Sequence, residues 1–114
     1  MINFVVISGN LTRDPELRYT PSGQAVLELN VAVNRKYKVN DEMKEEVSFF
    51  SAIVFGKFAE ICKENLTKGS SVVVSGRLKQ ETWETEGKKQ SKTKIIAEQV
   101  VFGQRKEKTE ETIE

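Results

Sequence analysis

Residues 47–78, VSFFSAIVFGKFAEICKENLTKGSSVVVSGRL, change hydrophobic period twice, and few small folds accommodate both changes. From 47 to 55 aromatic and β-branched residues dominate, the composition that suits a pleated strand. Alternation sends Phe49, Ser51, Ile53 and Phe55 one way and Phe50, Ala52 and Val54 the other. An aromatic on each side means that neither face is built for water alone. Gly56 breaks the strand. From Lys57 onward Phe58, Ile61, Cys62 and Leu66 fall at helical spacing, with Lys57, Glu60, Lys63 and Glu64 opposite them. Gly69 restarts the chain, and Val72, Val73 and Val74 begin a second strand. Strand, short plugging helix and returning strand predict the middle of a small closed barrel.

The rest of the chain supplies the other strands. Residues 2–8, INFVVIS, read as the first, with a bend or bulge at Gly9-Asn10. Arg13-Asp14-Pro15 and Thr20-Pro21-Ser22-Gly23 are turn chemistry, with a short extended piece, Leu17 to Tyr19, between them. Leu27, Leu29, Val31 and Val33 alternate with Glu28, Asn30, Ala32 and Asn34, the pattern of a half-buried strand. Residues 35–46 are charged around one tyrosine and predict a mobile loop or hairpin tip. After Gly76 the strand continues as RLKQETWETEG, Gly87 marks a turn, and KKQSKTKIIAEQVVF returns. The expectation is a mainly β domain of five strands, with one helix between strands three and four. That order suits the five-stranded Greek-key OB barrel, whose strand 2–3 face binds oligonucleotides. Phe58, Ile61, Cys62 and Leu66 are expected in its core, and Arg13, Asp14 and Glu16 in a network that fixes a loop. Residues 1–103 form the expected domain. Residues 104–114 are charged, lack periodicity and read as a frayed tail.

Composition excludes more than it suggests. At 114 residues the chain is one domain, and its formal charge is only +1. No histidine is present, which removes the commonest general base and metal ligand. A single cysteine excludes an intrachain disulfide and a cysteine-cluster zinc site. Gly56-Lys57 is no phosphate loop, because Phe58 stands where Ser or Thr is required. Asp14 and Glu16 are the nearest approach to a metal nuclease, and no further acids cluster with them. An enzyme, a cofactor and a bound metal are therefore not expected. With no 18-residue apolar run and no signal peptide, the chain is expected to stay in the compartment where it is made.

Charge has to be read locally. Single-stranded nucleic acid offers a phosphate chain and flat bases whatever its sequence, so a sequence-tolerant binder needs cations along a groove with rings beside them. Arg35-Lys36-Tyr37-Lys38 supplies both. So does 77–94, where Arg77, Lys79, Lys88, Lys89, Lys92 and Lys94 surround Trp83. Each ring has a second reading. Trp83 stacks on a base, packs on a neighbouring subunit or covers a loop. Phe55 stacks or enters the barrel core. Of Phe49 and Phe50, one faces nucleic acid and the other lines a subunit interface. Lys88 and Lys89 meet phosphate or form a solvated turn.

In combination the motifs VISGNL (Val6 to Leu11), RDPELRY (Arg13 to Tyr19), Pro21-Ser22-Gly23, Val54-Phe55-Gly56-Lys57 with Ala59-Glu60, Lys68-Gly69-Ser70 and Gly76-Arg77-Leu78 are specific. In this order the chain resembles the bacterial single-stranded DNA-binding proteins. The resemblance runs from Asn3 to about Phe102. It implies an OB fold, a homotetramer and sequence-independent wrapping of single-stranded DNA in replication, recombination and repair, in the cytoplasm at the nucleoid. It maps the family's stacking aromatics onto Tyr37, Phe49, Phe55 and Trp83, where tryptophan is usual at the first two. It matches basic contacts at Arg18, Lys57 and Lys79, while Phe4, Ser51 and Glu81 replace basic residues common in the family. Family members end in an acidic tip with a terminal Pro-Phe that recruits partner enzymes. This sequence ends Glu110-Glu111-Thr112-Ile113-Glu114, so recruitment through such a tip is not expected of it. The competing reading is an OB-type interaction module of the primosome-accessory kind, which has no need to keep four aromatics together.

Overall fold

The computed structural model describes residues 1–102. The expected tail, 104–114, lies outside the described residues. The elements are β1 (Val5–Leu11), β2 (Glu16–Tyr19), β3 (Ala25–Val39), β4 (Glu42–Phe55), α1 (Lys57–Asn65), β5 (Ser71–Thr85) and β6 (Lys88–Phe102). The sheet runs β1-β5-β6-β4-β3-β2, and a further pairing of β1 with β3 closes β1, β5, β6, β4 and β3 into a ring. These five strands are the OB barrel expected from the sequence. The extended piece at 17–19 is a strand of its own, paired outside the ring on β3. The helix therefore falls between β4 and β5 in chain order, after the third strand of the ring.

The inward positions of the alternating strand form the core. Leu27, Leu29 and Val31 of β3 are completely buried, and they meet Val54 and Ala52 of β4, Val72 and Val74 of β5, and Ile95 of β6. The helix plugs one end with Ala59 and Cys62, spaced i, i+3, and Leu66 joins them from extended backbone just past the helix C-terminus. Phe58 packs against this cluster from its edge. Ile61, expected inside, is 43% exposed. It is one residue from Cys62 along the chain, so the helix turns it well away from the buried stripe. Burial pushes the Cys62 thiol up to about 11, which keeps it protonated and inert at neutral pH.

Closing so small a ring requires two close backbone approaches. A Cβ at Gly9 would collide with the Ala32 carbonyl, and one at Gly76 with the Ile96 carbonyl. Near Gly9-Asn10 the first strand passes from β5 to β3. At Gly76 the ladder to β6 shifts by one residue. The predicted bend at Gly9-Asn10 is thus an unbroken strand that changes partner. Asn3 prolongs the β1–β5 pairing with its side chain: its Oδ1 accepts from the Leu78 N–H and its Nδ2 donates to the Leu78 carbonyl, both at 2.9 Å.

The expected loop at 35–46 is almost all strand. β3 and β4 pair continuously from Val26↔Phe55 to Val39↔Glu42, leaving Asn40-Asp41 as a two-residue turn with positive φ at both positions. Charged residues are depleted in strands on average, but a ribbon that leaves the barrel keeps both faces in solvent and tolerates them. A second ribbon, β5–β6, closes through Glu86-Gly87, again with positive φ at both. Asp14 accepts a hydrogen bond from the Lys68 N–H at 2.7 Å, and Lys63 donates to the Pro15 carbonyl at 2.8 Å. The segment around Asp14 is therefore pinned to the helix end, as expected of Asp14, whereas Arg13 and Glu16 make no side-chain hydrogen bond or ion pair among the described residues.

Candidate nucleic-acid interface

Ladder register decides which side chains share a face, because directly opposed residues point the same way and neighbours alternate. On β4 the inward set is Phe50, Ala52 and Val54, opposite Val31, Leu29 and Leu27. The outward set is Phe49, Ser51, Ile53 and Phe55, opposite Ala32, Asn30, Glu28 and Val26. The parallel pairing of β4 with β6 sets Ile53 beside Ile96 on the outward side. Ile96 in turn opposes Arg77 of β5, and the outward set continues through Lys79 and Glu81 to Trp83. One continuous sheet face thus carries Phe49, Phe55 and Trp83, at 69%, 41% and 46% exposure. Phe55 is too exposed to be a core residue.

Cations border these rings. Arg18 of β2 opposes Val26, which opposes Phe55, giving one row across three strands. Lys57 is exposed at the start of α1, two residues past Phe55. Lys36 shares the outward side of its ribbon with Phe49. Around Trp83, register adds Arg77, Lys79, Lys88, Lys92 and Lys94 to the same side. Lys94 is 3.0 Å from Glu81, and this pairing holds the Glu81 carboxyl below the usual glutamate range. Arg77 is 3.9 Å from Glu98. Among the described residues Lys79, Lys88 and Lys92 have no acidic partner within 4 Å, so their charge is available to a polyanion.

Three of the twelve candidate residues fall elsewhere. Tyr37, Arg35 and Lys89 stand on the reverse side of their ribbons. The Arg35 guanidinium lies over the Tyr37 ring at 4.8 Å and is 3.3 Å from Glu46. Phe50 shares this reverse side and is also partly exposed. Sequence reading passed over the pair at the middle of the outward face, where Ser51 donates a 2.7 Å hydrogen bond to Glu28. The signal was present: the alternation that buries Leu27 and Leu29 turns Glu28 and Asn30 to the outward side.

An OB barrel with aromatic rings and unpaired lysines on one sheet face is an oligonucleotide-binding module in architecture. The model of the single-strand binding protein family matches residues 2–103. The chain belongs to that family. It is 52% identical over 101 residues to a single-stranded DNA-binding protein of Aquifex aeolicus, covering 88% of this chain and 69% of that one. It is 44% identical over 99 residues to one from Treponema pallidum, covering 87% and 56%. The chain thus spans between about half and two thirds of these relatives' lengths. Among solved structures it superposes on a deletion mutant of the single-stranded DNA binding protein from Thermus aquaticus with a TM-score of 0.83 at 32% identity, covering 92% of this chain and 52% of that one. On the Plasmodium falciparum SSB complex with ssDNA the TM-score is 0.84 at 21% identity, covering 91% and 96%, a likeness of fold.

Among the described residues no three acidic, histidine or cysteine side chains gather as a metal ion would need. No helix there is long and apolar enough to cross a membrane.

Proposed function

We propose that the protein binds and protects single-stranded DNA without regard to sequence, in replication, recombination and repair, as a homotetramer. The observation that carries this reading is the outward sheet face, where Phe49, Phe55 and Trp83 are exposed together among Arg18, Lys36, Arg77, Lys79 and Lys88. The rings stack on bases and the cations follow the phosphates, which together give affinity that tolerates any base order. Lys57 extends the cationic border beyond Phe55. Tyr37, Arg35 and Lys89 reach a strand that passes around the edge of its ribbon.

Support for a homotetramer comes from the outer side of β1, β5 and β6, away from the rings. Val6, Val73 and Val101 are exposed there, with Phe4 two residues before Val6. A contiguous apolar patch on a domain this small suits a protein–protein contact.

Titration with oligo-dT, oligo-rU and duplex DNA tests the reading, with Trp83 emission and particle mass followed together. Oligo-dT should quench the only tryptophan at a mass of four chains, and duplex DNA should not. A monomer at micromolar concentration whose emission ignores saturating oligo-dT would sink both the stacking and the tetramer. Such a result would favour an interaction module.

A further inference from the structure

A carboxylate is an odd group to find in the middle of a surface that binds a polyanion. Glu28 is on β3, opposite Ile53, on the same outward side as Phe49 and Phe55. Its side chain retains 24% exposure. Oε2 accepts the Ser51 hydroxyl at 2.7 Å, which fixes the head group across the strand pair. Oε1 accepts no hydrogen bond among the described residues, and the Arg18 Nη2 is 3.9 Å away. A shallow depression of about 100 Å³ opens beside it, lined by Glu28, Asn30, Arg13, Asp14 and Glu16.

We propose that Glu28, held by Ser51, selects nucleobases that carry an exocyclic amine, with Asn30 meeting the ring acceptor beside that amine. The proposal rests on the DNA-binding reading above and names a preference within it. A carboxylate has acceptors only, so it repels phosphate and turns the backbone away from this row. What it can accept from is an N–H. The Watson–Crick edge of cytosine presents the N4 amine next to the N3 acceptor, and adenine presents N6 next to N1. Glu28 and Asn30 are two residues apart on one strand and project from the same face, an acceptor beside an amide donor. Uracil and thymine put a carbonyl oxygen where cytosine has its amine, so they set two acceptors against each other at Glu28.

Oligo-dC and oligo-dU of equal length, titrated at pH 8 against the full chain, test this. They differ in that edge while sharing ring size. The wild type should prefer oligo-dC by about 3- to 10-fold, within the net range of one ordinary hydrogen bond, since solvent reaches this site. Glu28→Gln should cut the ratio by about 3-fold or more, because the amide can rotate to satisfy either edge. Ser51→Ala should lower the ratio without changing the charge of the face, and it carries the comparison if Glu28→Gln does not fold. Comparing ratios between variants cancels the different stiffness of the two strands. If Glu28→Gln tightens both oligonucleotides by one common factor, Glu28 acts as a charge only and the proposal is overturned. A wild type that prefers oligo-dU overturns it too. In either case undiminished quenching by oligo-dT leaves single-stranded DNA binding standing, whereas failure of every oligonucleotide to bind removes both.

Discussion

The two ribbons that leave the barrel are built alike and charged differently. Each is a long antiparallel pair closed by a two-residue turn with positive φ at both positions. Between 34 and 48 the β3–β4 ribbon carries four cations and four anions, and its Arg35 is engaged with Glu46. Between 77 and 94 the β5–β6 ribbon carries six cations against three anions. The rings differ in the same sense. Trp83 stands on the outward face that also bears Phe49 and Phe55, while Tyr37 stands on the reverse face under Arg35. One backbone device therefore supports two roles. The β5–β6 ribbon concentrates charge beside a ring in line with the barrel face, and the β3–β4 ribbon presents a near-neutral, two-sided edge.

The largest expected effect separates the two rings. Stacking on an aromatic is worth about 1–3 kcal/mol per base by alanine substitution. Trp83→Ala should weaken binding of a short oligonucleotide by roughly 5- to 150-fold, at about 1.4 kcal/mol per decade. Tyr37→Ala should cost less, because its ring already bears the Arg35 guanidinium and faces away from the other three. Both are best measured at high salt, where phosphate contacts are weakened and stacking is less affected. Equal losses for the two variants would erase the distinction between the ribbons.

A smaller effect sharpens the electrostatic half of the comparison. For single strands each phosphate contact contributes about −0.7 to the slope of log K against log salt. Lys79→Ala with Lys92→Ala should flatten that slope by about 1.4 if each lysine meets one phosphate. Lys36→Ala with Lys38→Ala should flatten it by less, since Glu45 and Met43 oppose these residues and the ribbon is balanced in charge. Lys88 and Lys89 provide the same contrast within one turn, Lys88 on the Trp83 side and Lys89 behind it. A steeper loss from the Lys36 and Lys38 pair would reverse the assignment.

The barrel was legible because its signals are local and agree. Leu27, Leu29 and Val31 alternate, the period changes at Gly56, and the core follows from both. The ribbons were harder. Residues 35–46 have loop composition, and nothing local says that they pair; the pairing is dictated by the strands they extend and by the turn at Asn40-Asp41. Ile61 failed as a core residue because the helix buries a narrow stripe centred on small Ala59 and Cys62, which a count of large apolar residues underrates. For the site, rings and cations were visible as residue types, and strand parity already separated Phe49 from Phe50. Joining Phe55 to Trp83 required the β4–β6 pairing, a contact across more than forty residues of chain that no periodicity reports.

The smallest effect concerns Glu81, the one acid on the outward side of the Trp83 ribbon among five cations. Its carboxyl is held low chiefly by the hydrogen bond and charge of Lys94, with Lys79 and Lys92 adding to the field. The folded value is below the unfolded one, so the contact contributes to stability above the ordinary glutamate range and is lost as pH falls through the folded value. The side chain is partly exposed to solvent, so the contribution is small and screened by salt. A carbon-detected NMR titration should find the Glu81 midpoint below the ordinary glutamate value of about 4.3. Lys94→Ala should move that midpoint up, and Lys89→Ala, on the reverse side, should leave it in place. Protonating Glu81 also releases Lys94, so Glu81→Gln should tighten binding of single-stranded DNA slightly at low salt and not at high salt. If the midpoint ignores Lys94→Ala, the pair does not hold in solution. Lys94 would then already be free, and the charge surplus of the β5–β6 ribbon would be fully available to DNA.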